Sequence, residues 1–596
     1  MKNLDINEEK LRDLYLRDLS LGKIQGPPTG KISVDKPWLK FYYEKQIMDF
    51  DIPNLTIYDY MMKNNRNHLS DVALFYFGKK ISYKDLEEKI NKFASSVLAS
   101  GVKNGDIVTI CMPNTPEAVI AFYALNKIGV VANMIHPLSA ENEIKEFLCE
   151  SNSKLLITLD SSLSKITNII DDTNVAKTIV VSPSDSMPLL TKCGYNLTIG
   201  REKLPDDSRF ITWKSFMKQG NDKKIESVGF SENESAVMLH TGGTTGRSKA
   251  VVLTNENFNS MVEQFKSNTD NFERGDKMLT IMPVFHGFGL CSSLHLPLSY
   301  GVGCILVPKL NGKDIGNLFK KYQPNHILGV PTLFKGLLNN KDMRNLDLSY
   351  VKNIVSGGDL VKDSLEDDIN NFFRSHNANV KLCKGYGLSE AVAGATFATN
   401  DYNFYGSVGI PMINTNLKIV ELGTDREVNK GEVGEICIKG SSVMKEYYKN
   451  KEETNHTLVN GWLHTGDLGF YSKDNDQLYF SSRKGNMIIS SGVNVYPNII
   501  EEVIESHEAV SMCAVIGVKD QYKGEVPKAY VVLNDNFYLD DDLREEIDNL
   551  CKKNLNKYSI PKKYEYIEKL PETLLGKVSH KELRDIEEKG CYIKVK

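Results

Sequence analysis

Between about residue 53 and residue 400 the chain alternates short apolar runs with amphipathic stretches long enough to be helices. DIVTICMPN (106–114), VVANMI (130–135), KLLITL (154–159) and AKTIVV (176–181) read as buried strands. YKDLEEKINKFASSVLAS (83–100), ended by Gly101, and TPEAVIAFYALNKIG (115–129), closed by Gly129, read as helices. Strands separated by helices of this length require right-handed crossovers, and so a largely parallel sheet. Residues 182–234 are polar and carry Pro183, Pro188 and Pro205, and they read as a loop-rich crossing between two sheet subdomains. Shorter strands and turns follow 400 (INTNLKIVEL, VGEICIKG, LYFSS), and a final segment mixes strand and helix (CAVIGVKD, KAYVVLN, DDLREEIDNLCKKNL). The expected architecture is α/β. A large N-terminal domain of mixed and parallel sheets flanked by helices, with a β-barrel-like subdomain, precedes a small α+β C-terminal domain. The domain limits read as 1–52 for an N-terminal extension with a helix at 7–20, 53–484 for the large domain and 485–596 for the small one, with SSRKGN (481–486) between them.

Composition excludes several classes. Lys and Arg number 73 against 77 Asp and Glu, so no global basic field favours nucleic acid. Ten cysteines are scattered singly with no CxxC pair, which suits a reducing compartment better than a disulfide framework or a zinc site. The start MKNLDINEEK lacks the basic and apolar regions of a secretory signal, and a cytoplasmic location is expected. Met278 to Pro308 is free of Asp, Glu, Lys and Arg, but its three prolines and its serines and histidines argue for a buried helix and strand rather than a transmembrane segment.

The strongest chemical signal is AVMLHTGGTTGRSKAV (236–251). A strand runs into a loop of Thr241, Gly242, Gly243, Thr244, Thr245 and Gly246, with Lys249 just beyond. Glycines let successive backbone N–H groups converge on an anion; threonine hydroxyls and a lysine add donors and charge. The pattern suits a nucleotide triphosphate tail, but it is not the GxxxxGK[ST] loop of the common NTPases.

TGGTTGRSK resembles the phosphate loop of the adenylate-forming superfamily, which includes acyl- and aryl-CoA synthetases, peptide-synthetase adenylation domains and firefly luciferase. Further segments appear in that family's order: PVFHGFG (283–289), GVPTLF (329–334), SGGD (356–359), GYGLSE (385–390), GSVGIP (406–411), GEVGEICIKG (431–440), GWLHTGDLG (461–469), SRKGNMIISSGVNVYPNIIE (482–501) and LPETLLGKVSH (570–580). The resemblance implies an ATP-dependent acid–thiol ligase. Such an enzyme joins AMP to a carboxylic acid, releases pyrophosphate, and passes the acyl group to CoA. It implies Gly357, Gly358 and Asp359 as an adenine loop, and Gly385, Tyr386, Gly387, Leu388 and Ser389 as a second nucleotide loop. Thr245 and Glu390 act on the phosphates, Glu390 as the Mg²⁺ ligand. Asp467 holds the ribose hydroxyls, Arg483 touches ribose or phosphate, and Lys577 bridges the carboxylate and the α-phosphate. Phe285, His286 and Gly287 line the acyl pocket, Gly492 lies at the CoA channel, and Gly485 is the hinge for rotation of the small domain.

Departures from the family pattern are Gly485 for Asp or Lys, Ser248 for Pro, Ala250 for Gly, Asp359 for Ala, Ser389 for Thr and His580 for Arg. FHGFGLCSSLHLPL (285–298) has no carboxylate for an ammonium group, so an apolar pocket for a fatty or aromatic acid is expected. An acyl carrier protein as acceptor, or a non-catalytic acyl- or nucleotide-binding protein on the same fold, are the alternatives the sequence leaves open.

Overall fold

A computed structural model describes residues 29–42, 51–200, 202–221, 224–241, 248–269, 271–399, 401–491, 493–520, 522–573 and 577–589. The helix expected at 7–20 lies outside these residues, as do the loop residues Gly242, Gly243, Thr244, Thr245 and Gly246, and Gly492.

The strand–helix alternation builds two sheets rather than one. An eight-stranded sheet runs in the order 446–447, 249–254, 235–241, 131–134, 107–111, 155–159, 177–181, 210–212. From Ser235–Thr241 to Phe210–Thr212 every neighbour is parallel. A nine-stranded sheet is ordered 410–411, 396–397, 382–386, 353–357, 326–329, 277–280, 303–306, 72–76, 79–82, parallel through its middle with antiparallel edges.

The helix Pro116–Lys127 is buried on every side between the sheets. Its start is fixed by Thr115, whose hydroxyl accepts from Ala118 N, and by Pro116 in the first turn. The helix Tyr83–Ala99 starts in a Ser82/Asp85 capping box. One apolar core joins both sheets through Leu74, Val108, Ile110, Phe122, Leu239, Phe258, Met278 and Leu328. Each such side chain contributes roughly 1.5–3 kcal/mol relative to exposure.

Residues 182–234 correct the expectation of a crossing between sheets. The chain leaves the eight-stranded sheet at Val181, adds the strand Phe210–Thr212 to its edge, and re-enters the same sheet at Ser235. The polar composition hid a three-residue strand. It also hid the anchor behind that strand: Trp213 stacks on Phe93 with ring centroids 4.6 Å apart, and Phe216 is buried beside it.

The stretch Met278 to Pro308 forms a buried π-helix, Phe288–His295, then a helix, Leu296–Ser299, and the buried strand Gly303–Leu306 of the nine-stranded sheet. Among the described residues no helix is long and apolar enough to cross a membrane.

A curled antiparallel sheet follows, made of 415–420, 434–440, 462–471 and 458–459 with 478–483. The C-terminal lobe is a five-stranded sheet of 493–495, 488–490, 524–533, 510–520 and 563–566. The helices Pro497–Glu505 and Asp541–Asn554 close its own core of Ile488, Ile500, Val515, Val531 and Ile547.

Candidate active site

Parallel strands all end on one edge, and in open α/β sheets that carboxyl edge is where ligands bind. Here the two edges are tied together. Asn114, just past the strand Ile107–Cys111, donates to Thr280 O and Met282 O at 3.0 Å each, and accepts from Val284 N at 3.0 Å. The segment running into Phe285, His286 and Gly287 is thereby fixed against the eight-stranded sheet. Phe285 lies on the ring of His136, centroids 4.2 Å apart.

Gly287 has ordinary helical backbone (φ −54°, ψ −41°), so conformational freedom is not why it is glycine. A Cβ there would stand 1.6 Å from the carbonyl oxygen of Val392. Val392 itself is the centre of a tight γ-turn, φ 61° and ψ −63°, closed by Ala393 N donating to Ala391 O at 2.7 Å. That conformation is rare and strained for a β-branched residue, at about 1–3 kcal/mol. It lies two residues past Glu390. In the same loop a Cβ on Gly387 would meet Ala393 O at 1.8 Å. GYGLSEAVAG is thus folded back on itself and pressed against the start of the π-helix Phe288–His295. Leu388 packs between two cores, and Ser389 is buried at the start of the short helix Ser389–Ala391.

Glu390 accepts a hydrogen bond from Tyr447 OH at 2.8 Å. Lys249 sits over the Tyr447 ring, 5.0 Å from its centroid, and its ammonium is paired with Glu453. Strand pairing makes this possible, because Glu446–Tyr447 adds to the edge of Lys249–Thr254 with Tyr447 opposite Val251. Thr241 lies opposite Lys249 in the strand pair, and Ser248 Oγ donates to Thr241 O at 2.6 Å. Tyr447 and Glu453 were not among the residues singled out from sequence. Their signal is the aromatic and acidic spacing in MKEYYKNKEET, which a strand-edge position turns into a site.

The second loop brings Gly357 and Gly385 side by side in adjacent parallel strands. Gly358 follows with φ +83°, a conformation that favours glycine. Asp359 is exposed and caps Leu360 N. Tyr386 is buried; its hydroxyl donates to Asp467 Oδ2 at 2.8 Å. Asp467 also faces Arg483 Nε at 3.5 Å, its partner across the strand pair. Burial raises the Asp467 carboxyl above its ordinary pKa, against the opposing pull of Arg483 and the Tyr386 hydroxyl.

Lys577 comes from the other lobe. Thr573 N donates to Lys577 O at 2.7 Å. Its ammonium nitrogen lies 3.5 Å from where a Cβ of Gly358 would stand. Burial lowers its pKa, partly offset by Asp359 and Asp467 and reinforced by Arg483. The His286 pKa falls to about 4, chiefly through burial and then through the Lys577 charge, so the ring is neutral at pH 7. One lysine therefore stands beside Gly358, Asp359, Asp467 and His286.

The lobes are also joined by an ion pair of Lys362 with Glu505, whose carboxylate accepts from Cys513 N at 2.7 Å. A cavity of about 640 Å³ borders this pair, lined also by Lys335, Asp368, Phe372 and Val510. Gly485 is exposed in the short helix Lys484–Asn486. Arg584 of the last helix donates to Asn486 Oδ1 at 3.1 Å and lies 3.4 Å from Gly485 O. His580, where Arg is common, pairs with Glu501 at 3.0 Å.

Two lobes and two sheets whose carboxyl edges meet, with a lysine delivered from the smaller lobe, define a two-lobed α/β enzyme of the nucleotide-binding kind. The chain belongs to the AMP-binding enzyme family. Residues 62–448 match the AMP-binding enzyme family and 499–577 its C-terminal domain. A long-chain-fatty-acid–CoA ligase of Bacillus subtilis (strain 168) is 32% identical over 567 residues, 94% of this chain and 99% of that protein. The o-succinylbenzoate CoA synthetase of Bacillus subtilis, solved with its acyl-adenylate intermediate, superposes with a TM-score of 0.73 at 26% identity, covering 88% and 98% of the two chains. An anthranilate CoA ligase solved with anthranoyl-AMP gives a TM-score of 0.80 at 21% identity over 91% and 99%, a likeness of fold.

Proposed function

We propose that this chain is an AMP-forming acyl-CoA synthetase acting on long-chain fatty acids. The observation that carries the reading is the position of Lys577 beside Gly358, Asp359, Asp467 and His286. A carboxylate is a poor electrophile because its leaving group would be an oxide. In the first half-reaction a carboxylate oxygen of the acid bonds to the α-phosphorus of ATP, and the bond to pyrophosphate breaks. Lys577 neutralises charge on the carboxylate and α-phosphate as they approach, and Asp467 accepts from the ribose hydroxyls. The phosphate loop, Thr241 to Gly246, holds the triphosphate by backbone N–H groups and hydroxyls, with Thr245 at the departing phosphates. Lys249 exchanges Glu453 for phosphate. Positioning and charge neutralisation are the main tasks such a reaction sets the protein.

Glu390 is the residue for Mg²⁺. Its carboxylate, which accepts from Tyr447 OH at 2.8 Å, would hold the ion together with the substrate's phosphates. When bound, it neutralises phosphate charge. The neutral His286, with Phe285 and Gly287, walls an acyl pocket without a carboxylate. In the second half-reaction the thiol of CoA bonds to the acyl carbon and AMP leaves.

The two halves need different groups around one acyl-AMP, and a rotation of residues 485–596 against 53–484 supplies them. Arg483 belongs to a strand of the large lobe, while Asn486 is clamped by Arg584 of the small one. We assign the turning point to Gly485, which lies between them. The channel for the pantetheine arm passes Gly492.

The test is exchange of labelled pyrophosphate into ATP, dependent on the acid, across acids of increasing chain length. AMP release is then measured with and without CoA. Exchange supported by palmitate or oleate and thioester formed with CoA are expected. Exchange with no acid in the series, or only with aromatic acids, would overturn the assignment.

A further inference from the structure

The ribose end of the site is built across a seam. Tyr386 ends a strand of the nine-stranded sheet, and Asp467 stands in the curled sheet. The 2.8 Å hydrogen bond from the tyrosine hydroxyl to the carboxylate crosses from one to the other. Such a bond is only as well placed as the two sheets are held. The backbone joins them briefly, where Val408 N donates to Leu478 O and Leu478 N to Gly409 O at 2.9 Å each.

A second tie comes from far away in the sequence. Residues 29–42 form a strap whose shape is set locally: Asp35 accepts from Thr29 N and Gly30 N at 2.7 Å each, and Pro37 opens the short helix Pro37–Phe41. Its contacts fall on both sides of the seam. Toward the curled sheet, Ser33 N and Oγ donate to the Glu427 carboxylate at 3.0 and 2.6 Å, and Asn416 Nδ2 donates to Ser33 O at 3.0 Å. The Trp38 ring stands edge-on to Tyr471, centroids 6.0 Å apart. Toward the nine-stranded sheet, the Tyr42 hydroxyl donates to Pro411 O in the edge strand. Trp38 and Tyr42 are 1% and 3% exposed, and they share one apolar cluster with Tyr386, Ile410, Tyr471 and Leu478. Phe480 continues that cluster to the Tyr386 ring, centroids 6.2 Å apart.

The place where the strap presses also matters. The strands Trp462–Tyr471 and Leu478–Arg483 pair with Asp467 opposite Arg483 at one end and Tyr471 opposite Leu478 at the other. Trp38 bears on the Tyr471 end, roughly 13 Å along the strand from Asp467. Lys40 pairs with Asp476 in the connecting turn at 2.6 Å, but the lysine is 45% exposed, and such a pair holds little. The two buried rings do the holding.

We propose that residues 31–42 are a brace for the nucleotide half of the site, with Trp38 and Tyr42 as its positioning residues. They fix the seam across which Tyr386 meets Asp467, and so set how that carboxylate meets the ribose hydroxyls. A strap that served stability alone would leave nucleotide selectivity untouched. The proposal rests on the reading of Asp467 as the ribose acceptor, and the experiment separates the two.

The experiment measures binding of ATP and of 2′-deoxy-ATP to the full-length protein by calorimetry. A hydrogen bond to a charged acceptor should make the wild type prefer ATP by about 10- to 100-fold. Asp467→Ala should lose that preference. Tyr42→Phe keeps the ring and deletes only the bond to Pro411 O, while Trp38→Ala removes the ring at Tyr471. Each should narrow the preference at least about 3-fold, and Trp38→Phe should restore most of it. In pyrophosphate exchange both should raise the KM for ATP more than they lower kcat, and the KM for CoA in thioester formation should stay at the wild-type value. Melting curves fix a temperature at which every variant is folded; if Trp38→Ala does not fold, Tyr42→Phe decides. Weaker binding or activity with the wild-type preference intact would overturn the proposal and leave the strap a stability element, as would unchanged binding in Tyr42→Phe. If Asp467→Ala itself keeps the preference, the ribose assignment fails and the brace falls with it. If Asp467→Ala loses the preference and the strap variants keep it, only the brace falls. Exchange absent in every protein would count against the ligase reading and leave the binding result standing.

Discussion

Replacing Gly287 by alanine sets two effects of opposite sign against each other. The residue has helical backbone at the start of a buried π-helix. In an open helix Gly→Ala gains about 1 kcal/mol from backbone entropy. Here the added methyl would begin 1.6 Å from Val392 O, where real Cβ atoms essentially never come within 3.0 Å. The obstacle is backbone, and it belongs to a γ-turn already strained and wedged between Glu390 and the Gly387–Ala393 contact. Neither side yields cheaply, so overpacking should cost about 1–3 kcal/mol net. The relief must push the Phe285–His286 segment away from the Glu390 turn. A misplacement of about 1 Å costs on the order of 10²-fold in rate. Gly336→Ala is the internal control: it lies in the helix Pro331–Leu338, and its Cβ would meet only Ile315 Cδ1 at an ordinary 3.7 Å. Thermal melting and acid-dependent pyrophosphate exchange on both variants decide it. Gly287→Ala should melt lower and lose adenylation, while Gly336→Ala should melt at or above wild type with full activity. If Gly287→Ala is as stable and as active as Gly336→Ala, the π-helix Phe288–His295 and the Glu390 loop are not a single rigid unit.

Lys577→Ala should lower adenylation about 10²-fold or more yet still pass supplied acyl-AMP to CoA; equal loss in both halves would refute its assigned role. Because burial depresses the Lys577 pKa, its charge is lost as pH rises through a value below the ordinary about 10.4. The kcat/KM for ATP should therefore fall on an alkaline limb below that value, and Lys577→Arg should remove the limb from whatever activity remains. Glu117 is buried at the start of Pro116–Lys127 and accepts from Ser186 Oγ; burial raises its pKa to about 7. A raised carboxyl binds its proton more tightly in the folded state, so folding stability should decline as pH rises from about 4.5 to about 7. Glu117→Gln should abolish that decline, on the order of 3 kcal/mol, as read by urea unfolding at several pH values. Lys362→Ala leaves Glu505 buried without its interlobe partner. It should slow adenylation and speed proteolysis near 484–486, and an unchanged digestion pattern would refute a latch there.

The sequence made the parallel strands and their helices legible because each apolar run is bounded by a glycine or a cap: Gly101, Gly129, Thr115. It singled out Gly357, Gly385 and Gly387 only as loop glycines; the close approach at Gly387, where a Cβ would meet Ala393 O at 1.8 Å, is visible only in the fold. What it hid is non-local. That one alternation divides into two sheets follows from strand order, which local pattern does not encode. The strand Phe210–Thr212 is too short to show a period. Val392 looks like an ordinary core valine, and only the carbonyl it turns toward Gly287 shows otherwise. Tyr447 and Glu453 enter the site because a two-residue strand happens to pair with Lys249–Thr254.

That last pairing has a consequence for how the molecule can be divided. The strand after the phosphate loop is Val251, Val252 and Leu253, apolar on both faces, and its outer backbone groups are shielded by Glu446–Tyr447, which arrive some 200 residues later. A fragment that stops short of Glu446 would present a bare, sticky ribbon at the side of its nucleotide loop. Such a truncation should clump rather than yield a working half.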